Sequence, residues 1–276
     1  MAVISIEPLQ AGLGYELVPG GNLPWQMVPL GGARGIKITG AEGRTLQVTN
    51  ISGGPASGLI FNEVDSNGAP FRIFWLAGIT AGSYVVNVID PESRFVAWSI
   101  GVDVLAERSV KVAWYFLPGV MRRFDPTQLT KLINGIWSGP ANVTLTSLGV
   151  WGNENGEKLD FSGKIDTQAH AGKLRDYGNH GAASWLVYLG WTIAGAEAGT
   201  VTKGETRLDQ TVIDLALFKD GERASLAHTL AHEMGHFVSR KDPSHDDLAT
   251  DLMFKKSQHG RNNGLRRKRI LQVIRG

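Results

Sequence analysis

The chain has 276 residues, 42% hydrophobic and 20% charged, with a net charge of +2 and no cysteine. That length allows one large or two ordinary domains, and the composition is globular. The missing cysteines exclude disulfides, a thiolate nucleophile and a cysteine-based latency switch.

Residues 1–108 read as a β-rich domain. Gly and Pro punctuate short runs of strand character at Thr45 to Ile51, Phe71 to Ile79, Ser83 to Asp90 and Arg94 to Leu105. In the third run Tyr84, Val86 and Val88 alternate with Val85, Asn87 and Ile89, the period that puts one set on each face of a strand. Strands at this spacing, with turns such as Ser66-Asn67-Gly68, predict a β-sandwich-like domain. Its expected role is accessory: a module that docks a partner. An inhibitory segment packed over a cleft stays open as an alternative.

From about Ser109 the order changes. Val110 to Leu117 predicts a strand. Asp125-Pro126-Thr127 opens a helix, with Asp as cap and Pro at the first position, running through Leu129, Leu132 and Ile133. Val143 to Val150 predicts a strand, and residues 151–182, rich in Gly, Asn and Asp, a loop. Trp185 to Ile193 is an apolar strand, and Thr206 to Phe218 a further extended run. A helix from Glu222 to Val238 follows, with Asp220-Gly221 as its start signal. On this helix Leu226, Ala227, Leu230, Ala231, Met234, Phe237 and Val238 share one broad side. Ser225, Thr229, His232 and His236 take the other, so the spacing predicts a helix that buries its oily side and presents both histidines.

Residues 232–236 read His-Glu-Met-Gly-His. Positions four apart lie on one helical face, so His232 and His236 can aim ring nitrogens at one cation. Glu233 lies about 100° further round, within reach of a water on that cation. Zinc in a hydrolytic site takes three protein ligands and keeps one position for water. Residues 237–276 contain no Glu, which excludes a glutamate from a later helix as the third ligand. His228 lies eight residues before His236, about 12 Å along the axis, so those two cannot share one ion. It is expected to line the cleft or back up a ligand. His170, His180 and His259 lack ligand spacing and are expected to be solvated.

His245 is followed eight residues later by Met253, in the run His245-Asp246-Asp247-Leu248-Ala249-Thr250-Asp251-Leu252-Met253-Phe254. Together with the His232-Glu233-x-x-His236 string, this resembles the metzincin metalloproteases, the matrixin-like branch most closely, over roughly residues 109–276. The resemblance implies an α+β catalytic domain. It would have a twisted mixed sheet, a zinc-binding helix, a Met-turn at Met253 beneath the metal, and a C-terminal helix. It implies Zn2+ held by His232, His236 and His245, Glu233 as general base, and a protein or peptide substrate. The chain departs from the family where Gly and the third ligand usually stand, three and six residues after the second His: those positions hold Ser239 and Asp242. The interval from His245 to Met253 matches the family and that from Asp242 does not. Residues 240–244 therefore read as a lengthened loop, with Asp242 kept as the alternative third ligand. Some members add a Tyr ligand after the Met; Phe254 cannot bind, so three protein ligands plus water are expected.

Charge is unevenly placed. Of the 28 basic residues eight lie in 255–276 with no acid among them, so the rest of the chain carries 20 basic against 26 acidic residues. Leu265 to Ile274 reads as a closing helix with a solvated basic face, and no aromatics interleave it, so no nucleic-acid partner is expected. No apolar run approaches the roughly 20 residues of a membrane span. The start, Met1 to Pro8, lacks the basic region and long apolar core of a secretory signal. An exported or extracellular protein without a cleavable signal is expected, although absent cysteines suit the cytoplasm equally. The predicted activity is that of a zinc-dependent endopeptidase. A non-catalytic zinc-containing binding or adhesion module, and an exported toxin-like effector protease, stay open as alternatives.

Overall fold

The computed structural model describes residues 4–10, 13–16, 24–50, 56–64, 68–117, 120, 123–152, 165–167, 169–177, 181–190, 193–194, 204–207, 209–239 and 252. They form a mixed α/β protein with several sheets and few helices. The described chain divides into two units: one takes in residues 4–108 and 139–142, the other residues 109–138 and those from 143 onward.

The first unit holds nine strands: β1 (Ser5–Pro8), β2 (Tyr15–Glu16), β3 (Trp25–Pro29), β4 (Ala33–Thr39), β5 (Thr45–Asn50), β6 (Leu59–Val64), β7 (Phe71–Gly78), β8 (Gly82–Ile89) and β9 (Val96–Leu105). They lie in two sheets, ordered β1-β4-β7-β6 and β2-β3-β9-β8-β5. Alternation decides which side chains meet. Ile36 and Ile38 of β4 and Phe74 and Leu76 of β7 join Val86 and Val88 of β8 and Ile100 and Val102 of β9 in one apolar core. Four of these strands fall on the runs expected from sequence, with one shift. β9 begins at Val96 rather than Arg94, because Arg94 sits at φ 60° in the β8–β9 turn and its N–H donates to the Asp90 carbonyl at 2.8 Å. Asp90 closes that turn, its Oδ1 accepting from the N–H groups of Glu92 and Ser93. Residues 66 and 67 of the expected Ser-Asn-Gly turn lie outside the described residues.

The second unit is built on a five-stranded sheet. Its strands are β10 (Arg108–Phe116), β11 (Val143–Gly152), β13 (Trp185–Gly190), β15 (Gly204–Arg207) and β16 (Gln210–Asp214), in the order β11-β10-β13-β16-β15. β12 (Ile165–Asp166) and β14 (Ile193–Ala194) form a separate short parallel pair. β10, β13 and β16 run parallel, and β15 returns antiparallel along the β16 edge. All six residues of β13 are buried, as a central strand covered on both faces requires. The helices are α1 (Pro126–Ala141), α2 (Ala171–Tyr177) and α3 (Arg223–Val238). α1 starts as its sequence dictates: the Asp125 carboxylate accepts the Thr127 N–H at 2.9 Å, satisfying a donor that the helix itself leaves unmatched. Among the described residues no helix is long and apolar enough to cross a membrane.

Two contacts seat α3. Trp137 of α1 is fully buried and its indole N–H donates to the Ala231 carbonyl at 3.0 Å. Trp185 of β13 stacks on Phe237, ring centroids 5.9 Å apart and 16° from parallel. The large apolar side chains Leu226, Leu230, Met234 and Phe237 are buried, as the periodicity demands.

Three expectations are corrected here. The 151–182 stretch is not all loop. It contains α2, a single short helix that its own sequence would not sustain and that tertiary bonds hold: Tyr188 donates its hydroxyl to the Leu174 carbonyl, Gln210 donates to the Ala171 carbonyl at 3.2 Å, and Arg175 pairs with Asp209 at 2.7 Å. Thr206 to Phe218 is not one extended run. The chain reverses at Asp209 into the β15–β16 hairpin, then makes a 3₁₀ turn over Leu215–Leu217 that Asp214 caps by accepting the Ala216 N–H. The side of α3 predicted to face outward is also buried, because β15 and the chain at Leu252 reach it. His232 is 7% exposed, Glu233 5% and His228 2%, with His236 half-buried. The expected helix over 265–274 lies outside the described residues.

Candidate metal centre

His232, Glu233 and His236 lie in the second half of α3. Its N-cap is Glu222, whose carboxylate accepts the Lys219 N–H at 3.0 Å. Over the last turns of the helix the two histidines converge. Their Nε2 atoms are 3.1 Å apart and their rings stand edge to face at 83°. Behind His232, its Nδ1 lies 2.6 Å from the Leu252 carbonyl. A carbonyl only accepts, so Nδ1 carries the proton, and in the neutral ring Nε2 is the acceptor nitrogen.

That arrangement fits a cation. Two imidazole nitrogens at zinc-bond length and tetrahedral angle would be about 3.3 Å apart. Two nitrogen lone pairs facing each other at 3.1 Å repel unless a proton or a metal ion lies between them. Imidazole nitrogens are donors that zinc favours.

Glu233 faces the β15 strand. Thr206 donates its hydroxyl to Glu233 Oε2 at 2.6 Å and lies 3.3 Å from the Glu233 carbonyl. Gly204 gives the other oxygen room: a Cβ there would stand 3.1 Å from Glu233 Oε1 and Cγ and 2.8 Å from Ile213 Cδ1. Burial pushes the Glu233 carboxyl up to about 7. The Thr206 hydroxyl opposes that rise, and the neighbouring charge of Glu205 adds to it. A carboxyl poised there can both take and release a proton near neutral pH.

Of the residues predicted for the site, His232 and His236 are brought together at their ring nitrogens, and Glu233, next to His232 in the helix, bonds to Thr206 of β15. His245, the alternative ligand Asp242 and the turn residue Met253 lie outside the described residues. Among the described residues, no group of three or more His, Cys, Asp or Glu side chains stands in metal-holding geometry. Leu252, next to Met253, is fully buried and brings its carbonyl to His232. His228 is buried one turn before His232, and His170, expected to be solvated, is half-buried where its carbonyl accepts the Leu174 N–H at the start of α2. His180 and His259 lie outside the described residues. Thr206, Gly204 and the Leu252 carbonyl were not foreseen. Only a 206-to-211 hairpin reading would have pointed to the threonine, since it sets Thr206 directly opposite Thr211.

Neither a protein-family model nor a curated protein sequence matches the chain. Among solved structures it is similar to archaemetzincin from Methanopyrus kandleri, at 15% identity and a TM-score of 0.42, covering 60% of this chain and 94% of that one. It is similar also to metalloproteinase-II from Bacteroides fragilis, at 10% identity and a TM-score of 0.42, covering 98% and 86%. A titin I-band fragment matches at 10% identity and a TM-score of 0.22 over 40% of this chain and 38% of that one.

Proposed function

We propose that this chain is a zinc-dependent endopeptidase. The observation that carries the reading is the pair of imidazole Nε2 atoms 3.1 Å apart on a helix whose intervening Glu233 is buried. His232 and His236 would hold the ion, with His245 as third ligand and Asp242 as the alternative. The Leu252 carbonyl, one residue before Met253, supports Met253 as the turn residue beneath the ion. Zinc held there supplies Lewis acidity, lowering the pKa of a water and polarising a carbonyl. Glu233 takes the proton of the attacking water on its carboxylate and passes it to the departing amine nitrogen. His232, held by Leu252 through Nδ1, keeps one tautomer and one ring orientation throughout. Among the described residues β15 is the edge strand of the sheet, and it lies beside Glu233, so its backbone can pair with an extended peptide. A merely structural zinc site has no need of a carboxylate at position 233, which weighs against a non-catalytic module.

The expected result is cleavage of a casein-type substrate by the full chain. A chelator abolishes it and stoichiometric zinc restores it. A zinc-loaded, folded protein that leaves such substrates intact would overturn the reading.

In the first unit, two sheets with one shared core support a β-sandwich acting as a docking module. Deleting residues 1–108 is expected to leave cleavage of a short peptide intact while association with a protein target is lost. Equal loss of both would argue against a separable docking role.

A further inference from the structure

A line of hydrogen bonds runs from the buried centre of the second unit's sheet, through the half-buried Thr206, to the Glu233 carboxylate. Trp185 Nε1 lies 2.8 Å from Thr211 Oγ1, Thr211 Oγ1 lies 2.7 Å from Thr206 Oγ1, and Thr206 Oγ1 lies 2.6 Å from Glu233 Oε2. Trp185 and Thr211 are fully buried. The residues come from three adjacent strands. β13 and β16 are parallel neighbours with Val187 opposite Thr211, and in the antiparallel β15–β16 hairpin Thr211 is opposite Thr206.

Chemistry fixes both ends of this line. An indole N–H can only donate, and an ionised carboxylate can only accept. With those ends set, each threonine between them accepts from one neighbour and donates to the next. The protons then all point toward Glu233. Successive hydrogen bonds in a water-poor interior polarise one another, so the last donor to the carboxylate is stronger than a lone hydroxyl would be. The competing acceptor for Thr206, the Glu233 carbonyl, is farther away at 3.3 Å.

We infer that Trp185, Thr211 and Thr206 form a directional hydrogen-bond relay that holds Glu233 in its working orientation, with Thr206 and Thr211 as positioning residues for peptide hydrolysis. The inference rests on Glu233 being the general base. A carboxylate free to turn about its side-chain torsions would spend much of its time aimed away from the water it must deprotonate. The relay fastens Oε2 to the sheet, and the bare Cα of Gly204 leaves space at Oε1. One oxygen is thus anchored and the other is left to work. The relay also ties the base to the strand proposed to receive substrate, so a peptide pairing with β15 would meet a carboxylate already set.

Five variants of the full chain test this. Thr206→Val keeps the shape and removes the hydroxyl. It is expected to lower kcat roughly 10–100-fold, the usual scale for losing a group that orients a functional side chain, with KM and zinc content unchanged. Thr206→Ser, which restores a hydroxyl, is expected to recover most of that loss. Thr211→Val is expected to lower kcat in the same direction but by less, since Thr206 still donates. The readout independent of turnover is the Trp185 indole N–H resonance in a 15N–1H spectrum, assigned by its loss in Trp185→Phe. Glu233→Gln and Thr206→Val should each move it. Wild-type kcat in Thr206→Val, an equal deficit in Thr206→Ser, or a Trp185 resonance indifferent to Glu233→Gln would each overturn the relay. If the zinc-loaded wild type cleaves no peptide, the endopeptidase reading fails, and with it the catalytic role given to the relay. The resonance still reports whether the relay exists.

Discussion

Glu233→Gln is expected to reduce peptide hydrolysis by roughly 100- to 10,000-fold, the usual contribution of a positioned general base. Zinc content and thermal stability should stay close to wild type. Glutamine has the same shape and still offers an oxygen to the Thr206 hydroxyl, so the 2.6 Å contact that seats the side chain has a replacement. What it lacks is the capacity to take a proton. The two imidazoles are untouched, and His232 keeps its bond to the Leu252 carbonyl. Loss should fall on kcat, with KM little changed, because the carboxylate acts on the water rather than on the substrate's resting contacts. Alanine at the same position is a poorer test: it leaves the Thr206 hydroxyl facing a gap and mixes packing damage with lost chemistry. Full activity in a zinc-loaded Glu233→Gln protein would remove Glu233 from its role.

The sequence was legible where a short local pattern decides the structure. Asp125-Pro126 fixes the start of α1 because both its signals, a side-chain acceptor and a preset φ, lie within one turn. The span of α3 is legible because four-residue spacing of large apolar groups runs its whole length. In β8 the alternation of Tyr84, Val86 and Val88 was enough to mark the buried face. Reading failed where distant chain decides. Nothing within α3 announces that its histidine side is also covered. That follows from Thr206, 27 residues before Glu233, and Leu252, 20 residues after His232, both arriving at the same face. The β15–β16 hairpin was missed because Arg207, Leu208 and Asp209 include none of the Gly or Asn residues that advertise a tight turn. α2 was missed because its stability comes from Tyr188, Gln210 and Asp209 rather than from its seven residues.

Zinc content should identify the third ligand more sharply than activity does. His245→Ala is expected to drop bound zinc from one equivalent to well below it and to abolish hydrolysis, whereas Asp242→Ala should retain both. Two imidazoles alone make an open and weak zinc site; the third donor completes the set that leaves one position for water. The chemistry of the two candidates differs. A neutral imidazole at 245 gives an ion surrounded by three uncharged ligands and keeps its full positive charge available to acidify water. A carboxylate at 242 would neutralise part of that charge and weaken the acidifying effect. Distance along the chain also separates them. The Leu252 carbonyl, already bonded to His232, fixes one point of the returning chain, and His245 stands seven residues before it. Seven residues of chain span at most about 25 Å, ample for a loop that leaves α3 after Ser239 and returns past the metal. Asp242 stands only three residues beyond Ser239, where the helix ends with its N–H still bonded to the Gly235 carbonyl. To bind there it would need a sharp reversal directly after the helix, where the chain carries Ser239 and Arg240 rather than the Gly that makes a left-handed turn cheap. Loss of zinc in Asp242→Ala with full retention in His245→Ala would reverse the assignment and place the turn immediately after Ser239.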